Sequence, residues 1–491
     1  MIAQVALVPI YLTHWNVVTY GVWLSIQALV SFITILDFGH QEFLSYEFLR
    51  IGKDNRTQLS TCLWSGVSVG ISISLIQLLL IILFVNSNAL PVLLGESNRL
   101  DPALIRETKY VLFLQGVSWL ICSSITGLLF RVLVPFGYYP RMAWWNLFSS
   151  IVSIIPPLIA VILGAGLLTT GIVAACTGLT IGLFIYVDLF RVLRREKISF
   201  NLPSWQIARR NFFQSLAITG KVLLEMARGH GIRLFMAPLS GAAGLVAFST
   251  MRTGANVALQ GVRTITNPLM PELMRFLNQR DQDRVDVAFG IVWIIVVGLL
   301  APAVVLLQAF VEPLYILWTR GKIPFDPLLF ALLSLGVLVY AVAQPAMAVV
   351  IGNNLLKPQL VISTLSAGIT VVGLGILVPL MGILGGGIAL LIAEVIATIG
   401  YWAVARRWLH GVGLLWPERS FIIAIASVCI AAASMGFMIW LPQLTWLTLS
   451  LSMLLLGWNF QRYWLILPGL ATQRAKKLIV GLPVIRGLYH A

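Results

Sequence analysis

The sequence predicts an all-α integral membrane fold of about fourteen transmembrane helices. Three observations carry that expectation. Hydrophobic residues fill 59% of the 491 positions and charged residues only 10%, against about 25% in soluble globular chains. Apolar stretches of about twenty residues recur, each long enough to cross roughly 30 Å of hydrocarbon at about 1.5 Å per residue. Period-2 alternation is absent, which disfavours an outer-membrane barrel and leaves the helix, which satisfies its own backbone in lipid.

Helices are expected near 1–13, 18–38, 60–85, 110–133, 143–166, 170–190, 213–238, 245–268, 287–310, 327–352, 359–379, 383–404, 420–441 and 444–467. With both termini cytoplasmic, the loops place twenty-one lysines and arginines inside and five outside. The positive-inside rule therefore supports the count and the orientation together. The net charge of +15 reports topology and attraction to anionic inner-leaflet lipid, and no nucleic-acid partner is expected. Met1–Thr13 is apolar but too short to cross, and it lacks the basic start of a signal peptide. It reads as the outer half of helix 1, as a late-assigned start codon would leave it. Cys62, Cys122, Cys176 and Cys429 are dispersed in apolar helices and read as small packing residues. The five histidines make no metal-ligand spacing, so no metal site is expected.

The chain can be folded onto itself. Pro140 precedes one helix, Gly164 follows that helix, and Gly171, 31 residues after the proline, opens the next; Pro358, Gly382 and Gly387 repeat that arrangement, with 29 residues from proline to last glycine. The two sets are offset by about 215–225 residues. Helices 1–6 and 7–12 are therefore expected to form two similar six-helix lobes, with helices 13 and 14 appended. The expected boundaries are 1–212, 213–410 and 411–491. Each half holds an even number of spans, so the repeat is parallel, and two such lobes imply a central cavity that opens by rocking.

Most spans are free of charge, and the exceptions cluster. Helix 7 carries Lys221, Glu225, Arg228, His230 and Arg233; helix 8 carries Arg252, Asn256, Gln260, Arg263 and Asn267. At about 100° per residue the helix 8 set falls within about 80°, and Lys221, Glu225 and Arg228 within about 60°. An intramembrane cation costs about 2.5–3.5 kcal/mol even on the lenient insertion scale, so such faces should line a wet cavity. Against that stand simpler readings: Lys221 and Glu225 can neutralise each other at i, i+4, and Lys221 and Arg263 can snorkel. Arg228 and Arg252 are harder to account for in those ways, and guanidinium groups suit phosphate oxygens. Arg228, Arg252, Arg263, Lys221, Asn256 and Gln260 are the expected substrate-binding residues. Glu225 and Glu394 are the candidates for proton or sodium coupling, and no other cofactor is expected. Asp37 and Asp188 fall at cytoplasmic helix ends, where solvated or inter-lobe roles are expected. No phosphate-binding loop, nucleophile elbow or catalytic carboxylate pair is present, so the chain is not read as an enzyme.

The stretch Tyr20-Gly-Val-Trp-Leu-Ser-Ile-Gln-Ala-Leu-Val-Ser-Phe-Ile-Thr-Ile-Leu-Asp-Phe-Gly39 resembles the second helix of bacterial polysaccharide (O-antigen type) flippases. These belong to the multidrug/oligosaccharidyl-lipid/polysaccharide exporter superfamily. Asn267-Pro-Leu-Met-Pro-Glu-Leu-Met-Arg275 and the Gly/Pro rhythm of helices 10–12 resemble it too. The resemblance implies a transporter of undecaprenyl-pyrophosphate-linked oligosaccharide in the bacterial inner membrane, coupled to an ion gradient. It also implies a polysaccharide polymerase and glycosyltransferases as partners. A lipid II flippase, a multidrug or cation antiporter and a non-transporting scaffold for glycosyltransferases are the alternatives. An incomplete helix 1 and the charge in helix 7 depart from the family pattern.

Overall fold

The computed structural model describes residues 2–87, 89–94, 101–226, 232–353 and 355–467. Within these, the side chains of 2–5, 36, 217, 221, 225–226, 258, 260–272, 274–275 and 278 are not described. The described residues are helical almost throughout. The first helices are α1 (Ile2–His14), α2 (Val17–Ile33), α3 (Ile35–Ile51), α4 (Arg56–Asn86), α5 (Ala89–Leu93) and α6 (Pro102–Trp119). A π-helical turn, Leu120–Ser124, leads into α7 (Ile125–Arg131), then α8 (Tyr139–Ile162), α9 (Leu167–Arg195) and α10 (Trp205–Met226). α11 (Ile232–Gln279), α12 (Gln282–Ile295), α13 (Ala301–Trp318) and α14 (Pro327–Gly352) follow. The last are α15 (Leu356–Met381), α16 (Ile383–Gly411), α17 (Glu418–Trp440) and α18 (Thr445–Ile466).

The protein is a multi-pass membrane protein. Among the described residues ten helices are long and apolar enough to cross a bilayer, or eleven when bent α2–α3 counts as one span. The expected number was about fourteen. α1 is too short at 13 residues, and neither α10 nor α18 is among the ten. Lys221 and Glu225 interrupt the apolar part of α10, and Asn459, Gln461 and Arg462 that of α18. Two boundaries also differ from expectation. The second span runs on through α3 to Ile51, and α10 begins at Trp205, leaving only 196–204 between it and α9.

Contacts divide the chain into two compact units, Ile2–Val246 and the chain from Ala247 onward. The expected lobe boundary lay at 212, whereas α10 and the start of α11 group with the first unit. α10 packs along α3 and against α4. α11 breaks at Gly241, whose φ of 78° and ψ of 171° are accessible at little cost only to glycine. Gly21 of α2 crosses there so closely that a methyl group would lie 2.6 Å from the Ala242 carbonyl oxygen.

Within the first unit, Leu44, Phe48, Leu59, Leu63, Leu128 and Leu189 belong to one core. Within the second, Trp293, Phe289, Leu338, Val349, Tyr401 and Phe421 do. The helices reverse the usual soluble pattern. α4 buries Ser65, Gly66, Gly70, Ser74 and Gln77 and exposes Leu75, Ile76, Leu79, Leu80 and Leu83. Small inward residues let backbones approach closely, and large outward ones suit lipid.

The repeat landmarks fall at matching places. Pro140 and Pro358 lie in the first turns of α8 and α15. Gly164 and Gly382 follow those helices in left-handed conformation, with φ of 88° and 62°. α9 and α16 then turn back along them. In the second hairpin a Cβ at Gly385 would fall on the Leu377 carbonyl, while one at Gly375 meets nothing within 4 Å. Gly385→Val should therefore cost about 1–3 kcal/mol of stability by overpacking. Thermal unfolding of the purified protein checks this; Gly375→Ala should leave the transition unchanged or slightly raise it.

Candidate functional site

The polar residues expected to form the site belong to α10, α11 and α16. Arg228 lies outside the described residues, as does His230. Lys221 and Glu225 belong to α10, and Gln260 and Arg263 to α11, but their side chains are not described. Arg252 and Asn256, four residues apart on α11, are described and both are partly buried. One helical turn and a fraction separate them, so they share a face. Glu394 is partly buried on α16.

Around Arg252 the helix is hydroxyl-rich and tightly held. Thr250 and Tyr315 of α13 are buried and share a 2.7 Å hydrogen bond. Thr253 donates to the Ser249 carbonyl at 2.8 Å. A Cβ at Gly254 would touch the ring of Phe330 on α14 at 3.8 Å. The segment bearing Arg252 is thus fixed within the second unit by ring packing and a buried hydrogen bond. That fixes the path of the backbone from which the guanidinium projects.

In the first unit the structure brings together residues that were not expected to act as a group. Arg233, at the start of α11, lies beside Tyr20. Tyr20 stacks on Tyr11 at 5.3 Å between ring centroids, and Trp15 and Trp23 pack edge-on at 6.1 Å. All four rings are buried. The span Ile232–Val257 therefore holds two arginines, Arg233 and Arg252, and no Asp or Glu of its own.

Two acidic residues expected at cytoplasmic helix ends, in solvated or inter-lobe roles, are hydrogen-bonded within the first unit. Asp188 receives Arg141 through two guanidinium nitrogens, Nε at 2.8 Å and Nη2, and the Trp145 indole N–H at 2.8 Å. It fastens α8 to α9. Asp37 is fully buried in the first turn of α3 and takes a 2.7 Å hydrogen bond from Gln41. A hydropathy profile cannot show this, because Asp37 is surrounded by residues distant in sequence: Gly70 of α4, Ser124 of the π-turn and Arg131 of α7. Among the described residues no group of three His, Cys, Asp or Glu side chains is arranged to hold a metal ion.

No family model matches the sequence. No curated protein matches it either. Solved structures do match. An inward-facing multidrug resistance MATE family transporter of the MOP superfamily superposes with TM-score 0.66 at 14% identity, covering 84% of this chain and 94% of that one. The lipid II flippase MurJ in an inward closed conformation gives TM-score 0.60 at 13% identity, covering 94% and 95%. A MOP superfamily transporter from Pyrococcus furiosus, with a binding pocket of reverse polarity, gives 0.50 at 16%, covering 81% and 87%. The chain therefore has the all-α fold of MOP-superfamily transporters.

The Thr250–Tyr315 bond should contribute modestly, as intramembrane hydrogen bonds do. A double-mutant cycle of Thr250→Val and Tyr315→Phe should return a coupling of about 0.6 kcal/mol, and at most about 1.7. Thermal unfolding of the four proteins in one detergent measures it.

Proposed function

We propose that this chain is a flippase for lipid-linked oligosaccharide, the polyprenyl-pyrophosphate type used to build surface polysaccharide, acting by alternating access in a bacterial inner membrane. The observation that carries this reading is the pair of arginines, Arg233 and Arg252, in a span with no carboxylate in its own sequence. A cationic head inside a span is costly unless it faces protein, water or a counter-ion. A diphosphate-linked lipid offers anionic oxygens, and the planar guanidinium fork matches them two at a time.

Arg252, Arg228, Arg263 and Lys221 are proposed to hold the diphosphate. Asn256 and Gln260 offer hydrogen-bonding groups for sugar hydroxyls. Glu225 and Glu394 remain candidates for proton or sodium coupling. A polymerase and glycosyltransferases are the proposed partners, acting on the same lipid-linked substrate in the bilayer.

A lipid II flippase is the second reading. The MurJ superposition spans 94% of this chain, against 84% for the multidrug transporter. Both substrates carry a diphosphate on a polyprenyl tail, so the same cations serve either. A multidrug antiporter for cationic compounds is less well supported, since its cavity would need carboxylates where this span has arginines.

Arg252→Ala should abolish surface glycan and accumulate lipid-linked repeat units on the cytoplasmic leaflet, at unchanged protein level. Arg252→Lys should restore display only in part, because an ammonium cannot bind bidentately. Glycan immunoblots and leaflet-resolved lipid extraction measure both. Normal display from both variants at normal expression sinks the assignment.

A further inference from the structure

The Asp37 carboxyl has a setting that the proposed substrate path does not use. It sits where α2 and α3 meet, at a bend of 41°. The Ile33 carbonyl at that bend takes the Gln77 amide of α4 at 2.7 Å. One Asp37 oxygen takes the Gln41 amide at 2.7 Å, and the other has no hydrogen-bond partner among the described residues. The same Gln41 amide reaches the Ser124 carbonyl at 3.4 Å, and Ser124 takes a hydrogen bond from Ser74 at 2.7 Å. The Gln77 carbonyl oxygen and the Trp119 indole N–H are also buried without partners. Val30, Ile33, Thr34, Ser74, Gln77 and Trp119 are among the residues that line a small cavity at this bend.

Arg131 of α7 is hydrogen-bonded to Glu42 at 2.8 Å and lies over the Phe38 ring at 5.4 Å. It is not bonded to Asp37. His40 of α3 faces Ser215 of α10 at 3.3 Å and the Gly66 carbonyl of α4 at 3.1 Å. α4 presents Gly70, and the π-turn presents Ser124, which is bonded to Ser74; α10 carries Lys221 and Glu225 beyond Thr219. The Ser124 hydroxyl and the Arg131 charge also favour the ionised form, but burial opposes it more strongly, and a carboxylic acid costs less in this setting.

We propose that Asp37 is a proton-binding site, holding a proton in the closed arrangement described and releasing it to water when α3 separates from α10. Two and three residues beyond it, Gly39 and His40 make the seal. A methyl group at Gly39 would overlap Thr219 of α10, so the two backbones are as close as glycine allows. Water reaches the carboxyl when that seal opens, and hydration then favours the ionised form. Proton occupancy and the α3–α10 contact are therefore linked, each favouring the other. The use of this linkage to drive transport rests on the flippase reading; the proton site itself does not.

The test is infrared difference spectroscopy on the purified full chain in lipid nanodiscs, raising pH from about 5 to about 9, where buried carboxyls titrate. A protonated-carboxyl C=O band should disappear with rising pH in the wild type and be absent from Asp37→Asn, but persist in Glu225→Gln and Glu394→Gln. Gly39→Val, which wedges the seal apart, should move the midpoint down by about one pH unit, a tenfold change in proton affinity. This second variant keeps the proposal testable if Asp37→Asn does not fold. A band that survives in Asp37→Asn, or a midpoint unmoved by Gly39→Val, overturns the site. Loss of the band on adding sodium at fixed pH overturns it in favour of a sodium site. Normal glycan display in Arg252→Ala with the spectra as expected defeats the flippase reading alone.

Discussion

In hydrocarbon a backbone N–H, a carbonyl or a charged head has no water to turn to, and this constraint organises the molecule. Polar side chains turn inward and large apolar ones outward. The α17–α18 hairpin shows how the inward groups are used: Asn459 donates to the Ile423 carbonyl at 3.0 Å and to Ser427 at 2.7 Å. Ser452 donates to Ser434 at 2.6 Å. Tyr463 then ties the hairpin to α12 through the Gly290 carbonyl at 2.9 Å. Each bond is modest, but together they give a hairpin with apolar flanks a fixed register against its neighbours.

The same constraint makes the exceptions informative. Where a polar group is placed among apolar helices and fully matched, as Asp188 is by Arg141 and Trp145, structure alone explains it. Arg233 and Arg252 have no acidic residue in their own span, and Asp37 keeps an oxygen without a hydrogen-bond partner among the described residues. Their placement in an apolar run marks them for a role, since an intramembrane ionisable side chain is a functional candidate. In the proposed account that role is the binding of a diphosphate or a proton.

The spans were legible in the sequence because a run of apolar residues needs no knowledge of its neighbours. Pro140 with Gly164, and Pro358 with Gly382, were legible too, because proline and glycine act on their own backbone. Three features were not. The bend between α2 and α3 falls at Thr34, where no glycine or proline marks it; the Gln77 amide that donates to the Ile33 carbonyl is 44 residues away. The pairing of α10 with α3 depends on Gly39 meeting Thr219, a contact between helices far apart in the chain. Asp37 reads as a helix-end acid until α4, the π-turn and α7 close around it. Arg252 and Asn256 were found from charge within an apolar run, while Arg233 gained significance only beside Tyr20.

The central claim is that the intramembrane arginines select an anionic, diphosphate-bearing lipid. Its most direct test is the binding of a short polyprenyl pyrophosphate and of the corresponding polyprenyl alcohol to the full chain in nanodiscs, measured by native mass spectrometry. The account predicts at least about tenfold tighter binding of the pyrophosphate, roughly 1.4 kcal/mol, with the preference falling as salt rises. Equal affinity for the two lipids, insensitive to salt, would contradict it.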